Sequence, residues 1–222
     1  AWEDASKPLL AGNGKAGPTM HQILESGTHA AQGLEVPAAD TLKKLTPAQR
    51  VDAMDLAASR AGFFGDEADL LNPPHLPGPL KGAGEAAKEA VGAVLYVREV
   101  LNAEPDPALR SDLAGTVIKT QARVAVGIVL SDPTAALQMV EQADADVELV
   151  APKQRDALQT VVAEAAVDCG ESLIQRPNMT PDGKPTNARD TALKLAGSTV
   201  NKAPYDDGLA ARNAELQAIP GR

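Results

Sequence analysis

The sequence predicts an all-α protein, and three observations lead to that fold class. Alanine, the residue with the highest intrinsic helix propensity, occurs 41 times in 222 residues. Apolar residues recur at helical spacing along most of the chain, whereas alternation with a period of two is nearly absent. We therefore expect an up-and-down helical bundle whose core is formed by about residues 85–175. An irregular N-terminal arm and a long strap rich in proline and glycine would complete it.

The N-terminal residues 1–18 are predicted to form an extended arm. They are rich in glycine and proline and show no sustained period, and Trp2, Leu9 and Leu10 are their only large apolar anchors. Residues 19–222 would then form one helical domain, beginning with a short helix capped by Thr19.

A second helix is predicted to begin at Thr46. Thr46 would be the N-cap, Pro47 would occupy the first helical position, and Gln49 would complete a capping box. Gly62 is expected to end this helix, because glycine commonly follows the last helical residue.

Residues 62–84 are predicted to form the irregular strap. They contain both phenylalanines of the chain, four prolines and one of the three histidines. The segment could lie across the bundle and cover its core, or it could be a docking loop for a partner, since long irregular segments inside compact domains are often functional. The candidate interface residues here are Phe63, Phe64, His75 and Leu76.

The remaining chain is predicted to form a series of helices. They cover about 85–103, 108–131, a short stretch from 133 that ends in the acidic run at 144–148, 152–175, 186–201 and 206–218. Three of the starts are marked by Asp106-Pro107, Asp132-Pro133 and Pro152. The run from Val124 to Leu130 is apolar almost all round, which places it at the centre of the fold. Cys169 lies on an apolar stripe, so we expect a buried and unreactive thiol.

Composition and charge exclude several classes of protein. The net charge of −9 is spread evenly and aromatic residues make up only 2% of the chain, which argues against nucleic-acid binding. The single cysteine excludes an internal disulfide and a cysteine-rich zinc site. No apolar run approaches twenty residues, so no membrane-spanning segment is expected, although peripheral association stays open. The small first residue, Ala1, would suit removal of a leader and hence an exported or lumenal location.

No motif in the chain reaches the spacing that known chemistry requires. Residues 12–17 match GxGxxG but have no preceding strand and are followed by Pro18. The three histidines have no metal-ligand spacing, and the acidic run from Asp144 to Glu148 lacks the glycine and the final glutamate of a calcium loop. We therefore predict no cofactor, no metal and no catalytic residue.

These observations favour a non-enzymatic structural or assembly subunit of a larger complex. Its partners would be other protein subunits, bound through the arm and the strap. Two other functions stay open, namely a carrier that holds an apolar small molecule or pigment between Ala-lined helices, and an enzyme with an unrecognised site that uses His75 or His29.

Overall fold

The fold is that of a computed structural model, which describes residues 39–73, 78–175 and 187–219. Over these residues 84% of the chain is helical and no strand is present, so the predicted all-α bundle is confirmed. The seven α-helices are α1 (Pro47–Leu70), α2 (Ala83–Ala103), α3 (Pro107–Ile128), α4 (Pro133–Asp146), α5 (Pro152–Ile174), α6 (Ala188–Lys202) and α7 (Asp207–Ala218). Short 3-10 helices cover Ala39–Lys44 and Val147–Leu149.

The helix starts follow the capping signals in the sequence. The predicted capping box is confirmed, because Thr46 Oγ1 accepts a hydrogen bond from the Gln49 N–H and Gln49 Oε1 accepts one from the Thr46 N–H. Asp106, Asp132 and Asp206 cap α3, α4 and α7 through their side-chain carboxylates. Proline occupies the first turn of α1, α3, α4 and α5, where its missing N–H is not needed.

A buried ion pair joins the beginning of α1 to the end of α2 and fixes the two helices as antiparallel neighbours. Arg50 Nε donates to Glu104 Oε2 at 2.7 Å, and the two side chains are 6% and 0% exposed. The surrounding backbone satisfies both groups further: Arg50 donates to the Leu45 carbonyl at 2.6 Å, and Glu104 accepts from the Asp106 N–H at 2.8 Å. Removing one partner would therefore leave a buried charge uncompensated.

The helix α1 does not end at Gly62, as the sequence had suggested, but continues to Leu70. Gly62 and Gly65 lie where α1 crosses α3. A Cβ atom at Gly127 of α3 would lie 2.4 Å from the Gly65 carbonyl oxygen, and a Cβ at Gly62 would lie 3.0 Å from the Arg123 side chain. The glycines thus allow close packing of two helices, and this packing outweighs their low helix propensity. The irregular connection therefore begins only at Leu71.

The hydrophobic core is continuous and reaches beyond the predicted 85–175 at both ends. Val124 and Ile128 of α3 are fully buried, which confirms the central position expected from their apolar run. The core is made mostly of alanine, valine and leucine, and α1 and α6 contribute to it as well as α2–α5. Because small side chains dominate, the helix axes can pack closely and no large aromatic cluster is required.

The C-terminal helix α7 contacts the bundle through two buried leucines and a cluster of charged side chains. Only Leu209 and Leu216 of this helix are buried. Arg212 donates to both carboxylate oxygens of Glu171, at 2.8 and 2.7 Å, and to Asp168 at 2.6 Å. These bonds raise the pKa of the Arg212 guanidinium further above its ordinary value. The three side chains are about 40% exposed, so their contribution to stability is modest.

Candidate functional site

The connection between α1 and α2 presents two leucines at the surface. Leu70, the last residue of α1, and Leu80, near the start of α2, are both about half exposed. They flank residues 74–77, which lie outside the described part of the chain.

The base of this connection is held firmly to the bundle. The Leu80 N–H donates to the Leu71 carbonyl at 2.7 Å, which brings the two ends of the loop together. Asn72 is 1% exposed, and its Nδ2 donates to Ser131 Oγ at 3.1 Å, which ties the loop to the turn between α3 and α4. Gly82 caps α2 with φ +102°, a left-handed conformation that other residues rarely adopt. The loop therefore leaves the bundle from a fixed frame.

The two phenylalanines of the predicted strap do not form part of this surface. Both lie inside α1. Phe64 is 2% exposed and belongs to the core, with Phe63 in edge-to-face contact at 5.3 Å between ring centroids and Arg60 at 5.6 Å over its ring. Phe63 is partly buried against the same core. Phe64 is therefore corrected from an interface residue to a core residue, because α1 continues through this segment and places the ring inward.

The other predicted interface residues lie outside the described residues. These are Trp2, Leu9 and Leu10 of the arm, together with His75 and Leu76 of the connection. Sequence reasoning gave less weight to Leu70 and Leu80, which carry the exposed apolar surface at the ends of the loop. The segment as a whole was singled out by its composition, but neither leucine stands out in sequence, because exposure depends on where a helix ends.

A groove of about 390 Å³ lies between α1 and α2. Its floor consists of small residues, Ala57, Gly92 and Ala93. Its walls carry charged groups joined in pairs, with Arg60 donating to Glu89 at 2.8 Å and Lys88 donating to Glu85 at 3.0 Å. Paired charges of both signs suit a polar partner surface better than an apolar small molecule.

Tyr96 also lines the groove. Partial burial, with a smaller contribution from Glu99, raises the pKa of the Tyr96 phenol above its ordinary value. The hydroxyl therefore stays protonated at neutral pH and can donate a hydrogen bond.

Cys169 is fully buried, as its position on the α5 stripe predicted. Burial and the neighbouring Asp168 raise the pKa of its thiol to about 12. A thiol in this state is not a nucleophile at neutral pH, so it does not support an enzyme that uses cysteine.

The acidic residues at the end of α4 are engaged in ion pairs and hydrogen bonds between helices. Asp144 accepts from Gln159 of α5 at 2.8 Å and from Lys202 of α6, while Asp146 pairs with Arg98 of α2. Within residues 39–73, 78–175 and 187–219, no group of three or more histidine, cysteine or carboxylate side chains is arranged to hold a metal ion. Among the same residues no helix has the length and apolarity needed to cross a bilayer.

Comparison with known proteins adds no relative: the chain matches no family model, no curated protein and no solved structure.

Proposed function

We propose that this chain is a non-enzymatic assembly subunit that binds a neighbouring protein through the connection between α1 and α2. The observation that carries the proposal is the pair of half-exposed leucines, Leu70 and Leu80, at the two ends of a loop whose base is fixed. A fixed base lowers the conformational entropy lost on binding, because the flanking backbone is already ordered before the partner arrives.

The N-terminal arm, residues 1–18, belongs to the same proposal as a second point of attachment. Its apolar anchors are Trp2, Leu9 and Leu10. Two attachment points on one chain raise the effective concentration of the second once the first has bound, so modest contacts at each can give a stable complex.

The test is co-purification of the tagged full chain from its native source after mild cross-linking. We expect one or more proteins at constant stoichiometry with the wild type. The double variant Leu70→Ser/Leu80→Ser should lose them, and deletion of residues 1–18 should weaken their retention. The matched control is Leu149→Ser, which changes an exposed leucine in another part of the fold and should retain them.

Circular dichroism must show unchanged helix content in the Leu→Ser variants, because Leu70, Leu80 and Leu149 are exposed. Retention of the same proteins by the double Leu→Ser variant would contradict the role of the connection. Wild-type chain that is recovered without any stoichiometric protein would contradict the proposal as a whole.

A further inference from the structure

The outward face of α2 carries a stripe of exposed residues, and four of them form its middle part. In chain order these are Lys88, Gly92, Leu95 and Glu99, and their spacing of four, three and four residues keeps them on one side of the helix. Leu95 is 57% exposed, which is unusual for a leucine in the middle of a long helix. The stripe therefore presents a cation, a gap, an apolar side chain and an anion in that order.

Gly92 provides the gap in this stripe. A Cβ atom placed there would meet no heavy atom within 4 Å, and this exposed residue lines the groove between α1 and α2. The open space over Gly92 leaves room for a leucine side chain from another molecule. Leu95 lies one helical turn further along. The same helix therefore carries an exposed apolar side chain and, over Gly92, a space that fits such a side chain.

The stripe is complementary to itself when a second copy of α2 runs antiparallel to the first. A two-fold axis midway between Gly92 and Leu95 places each Leu95 over Gly92 of the second copy. The same rotation places each Lys88 beside Glu99 of the second copy, because the step from Lys88 to Gly92 equals the step from Leu95 to Glu99. Both pairs are then formed twice, as expected for an isologous interface.

We propose that this face of α2 is a homodimer interface, in which Leu95 packs over Gly92 of a second copy and Lys88 pairs with Glu99 of that copy. Self-complementarity in both shape and charge favours a second copy as the occupant over an unrelated protein. One helix-on-helix contact falls below the size of a standard stable interface, so the dimer is weak and dissociates on dilution.

The interface lies on the middle of α2, apart from the loop between α1 and α2, and the inference does not depend on the proposed function. Purified protein is sufficient to test it, so failure of the dimer and failure of the partner complex are separate results.

The first experiment is sedimentation equilibrium of the full chain over concentrations from micromolar to millimolar, at an ionic strength of about 0.15 M where distant charges are largely screened. We expect monomer at the lowest concentration and a growing dimer fraction above it. Leu95→Asp should raise the dissociation constant more than tenfold. The matched control Leu149→Asp, in which the leucine is 43% exposed on the short 3-10 helix, should leave it unchanged. A wild type that stays monomeric throughout, or equal effects of the two variants, would overturn the proposal.

The second experiment tests the register of the two helices by charge reversal. Lys88→Glu and Glu99→Lys should each weaken the dimer, because each places like charges opposite one another. The double variant Lys88→Glu/Glu99→Lys should restore association, since both intermolecular pairs return with their signs exchanged. Lys88 also pairs with Glu85 inside one chain, and a purely local effect would not be rescued in this way. A double variant no tighter than either single variant would refute the antiparallel arrangement.

Discussion

Substitution of Gly127 by alanine tests the close crossing of α1 and α3. The new Cβ would lie 2.4 Å from the Gly65 carbonyl oxygen and 2.7 Å from the carbonyl carbon. An ordinary carbon–oxygen contact is roughly 3.3 Å, so the two backbones would have to separate by about 1 Å. Neither helix can relieve the contact by rotating a side chain, since the obstructing atoms belong to the backbone.

The expected loss is about 3 kcal/mol in the free energy of unfolding, at the upper end of the range for overpacked cores. Alanine would otherwise gain roughly 1 kcal/mol over glycine in a helix, and a separation of this size also weakens the dispersion contacts along the crossing. For a domain of this size such a loss corresponds to a fall in Tm of roughly 6–12 °C.

The matched control is Gly92→Ala, which makes the same chemical change in an exposed helix position with nothing within 4 Å. It should stabilise the protein by about 0.5–1 kcal/mol. Both variants are compared with the wild type by urea denaturation of dilute protein, followed by far-ultraviolet circular dichroism. If Gly127→Ala were as stable as Gly92→Ala, the inferred close packing of α1 on α3 would be refuted.

Three further predictions concern buried and paired charges. Glu104→Gln should destabilise the fold by about 3–5 kcal/mol in urea denaturation, because it leaves Arg50 charged and buried, and Arg50→Met/Glu104→Leu should cost clearly less; equal losses would contradict the pairing. Stability should fall as the pH rises from 9.0 towards about 12, since the native state keeps the Cys169 proton that the unfolded state releases; Cys169→Ala should show a shallower fall in alkaline denaturation curves, and an identical slope would contradict a raised pKa. Arg212→Gln should lower global stability by no more than about 1 kcal/mol yet speed amide hydrogen exchange in α7, with exchange in α3 unchanged; unaltered exchange in α7 would show that the ion pairs do not hold this helix.

The parts of the fold that depend on local chemistry could be predicted from the sequence. The capping box at Thr46, the proline starts and the buried Cys169 each depend on a few neighbouring residues, and all three predictions are confirmed. The end of α1 could not be predicted in this way. Gly62 is a stop signal in isolation, and only the crossing with α3, some sixty residues further along the chain, makes it a packing residue.

The candidate site, too, could be predicted only in part from the sequence. Its segment could be recognised because proline, glycine and phenylalanine concentrate there, but its exposed residues could not. Phe64 was a candidate interface residue and lies in the core, whereas Leu70 and Leu80 are about half exposed. The neighbours of a helix in space decide which of its sides faces inward. In an alanine-rich helix the buried and exposed sides differ little in hydrophobicity, so the sequence does not distinguish them well.

The hydrogen bond between the Leu80 N–H and the Leu71 carbonyl has a consequence for how this chain can vary. It closes the connection at its base, so the bundle on either side requires only that the two ends meet. The entropy of closing a flexible loop rises by only about 0.6 kcal/mol for each doubling of its length. Apart from Asn72, which is buried and bonded to Ser131, the length of the connection can therefore change at little cost to folding. The closed base thus makes the stability of the bundle largely independent of the length of the connection.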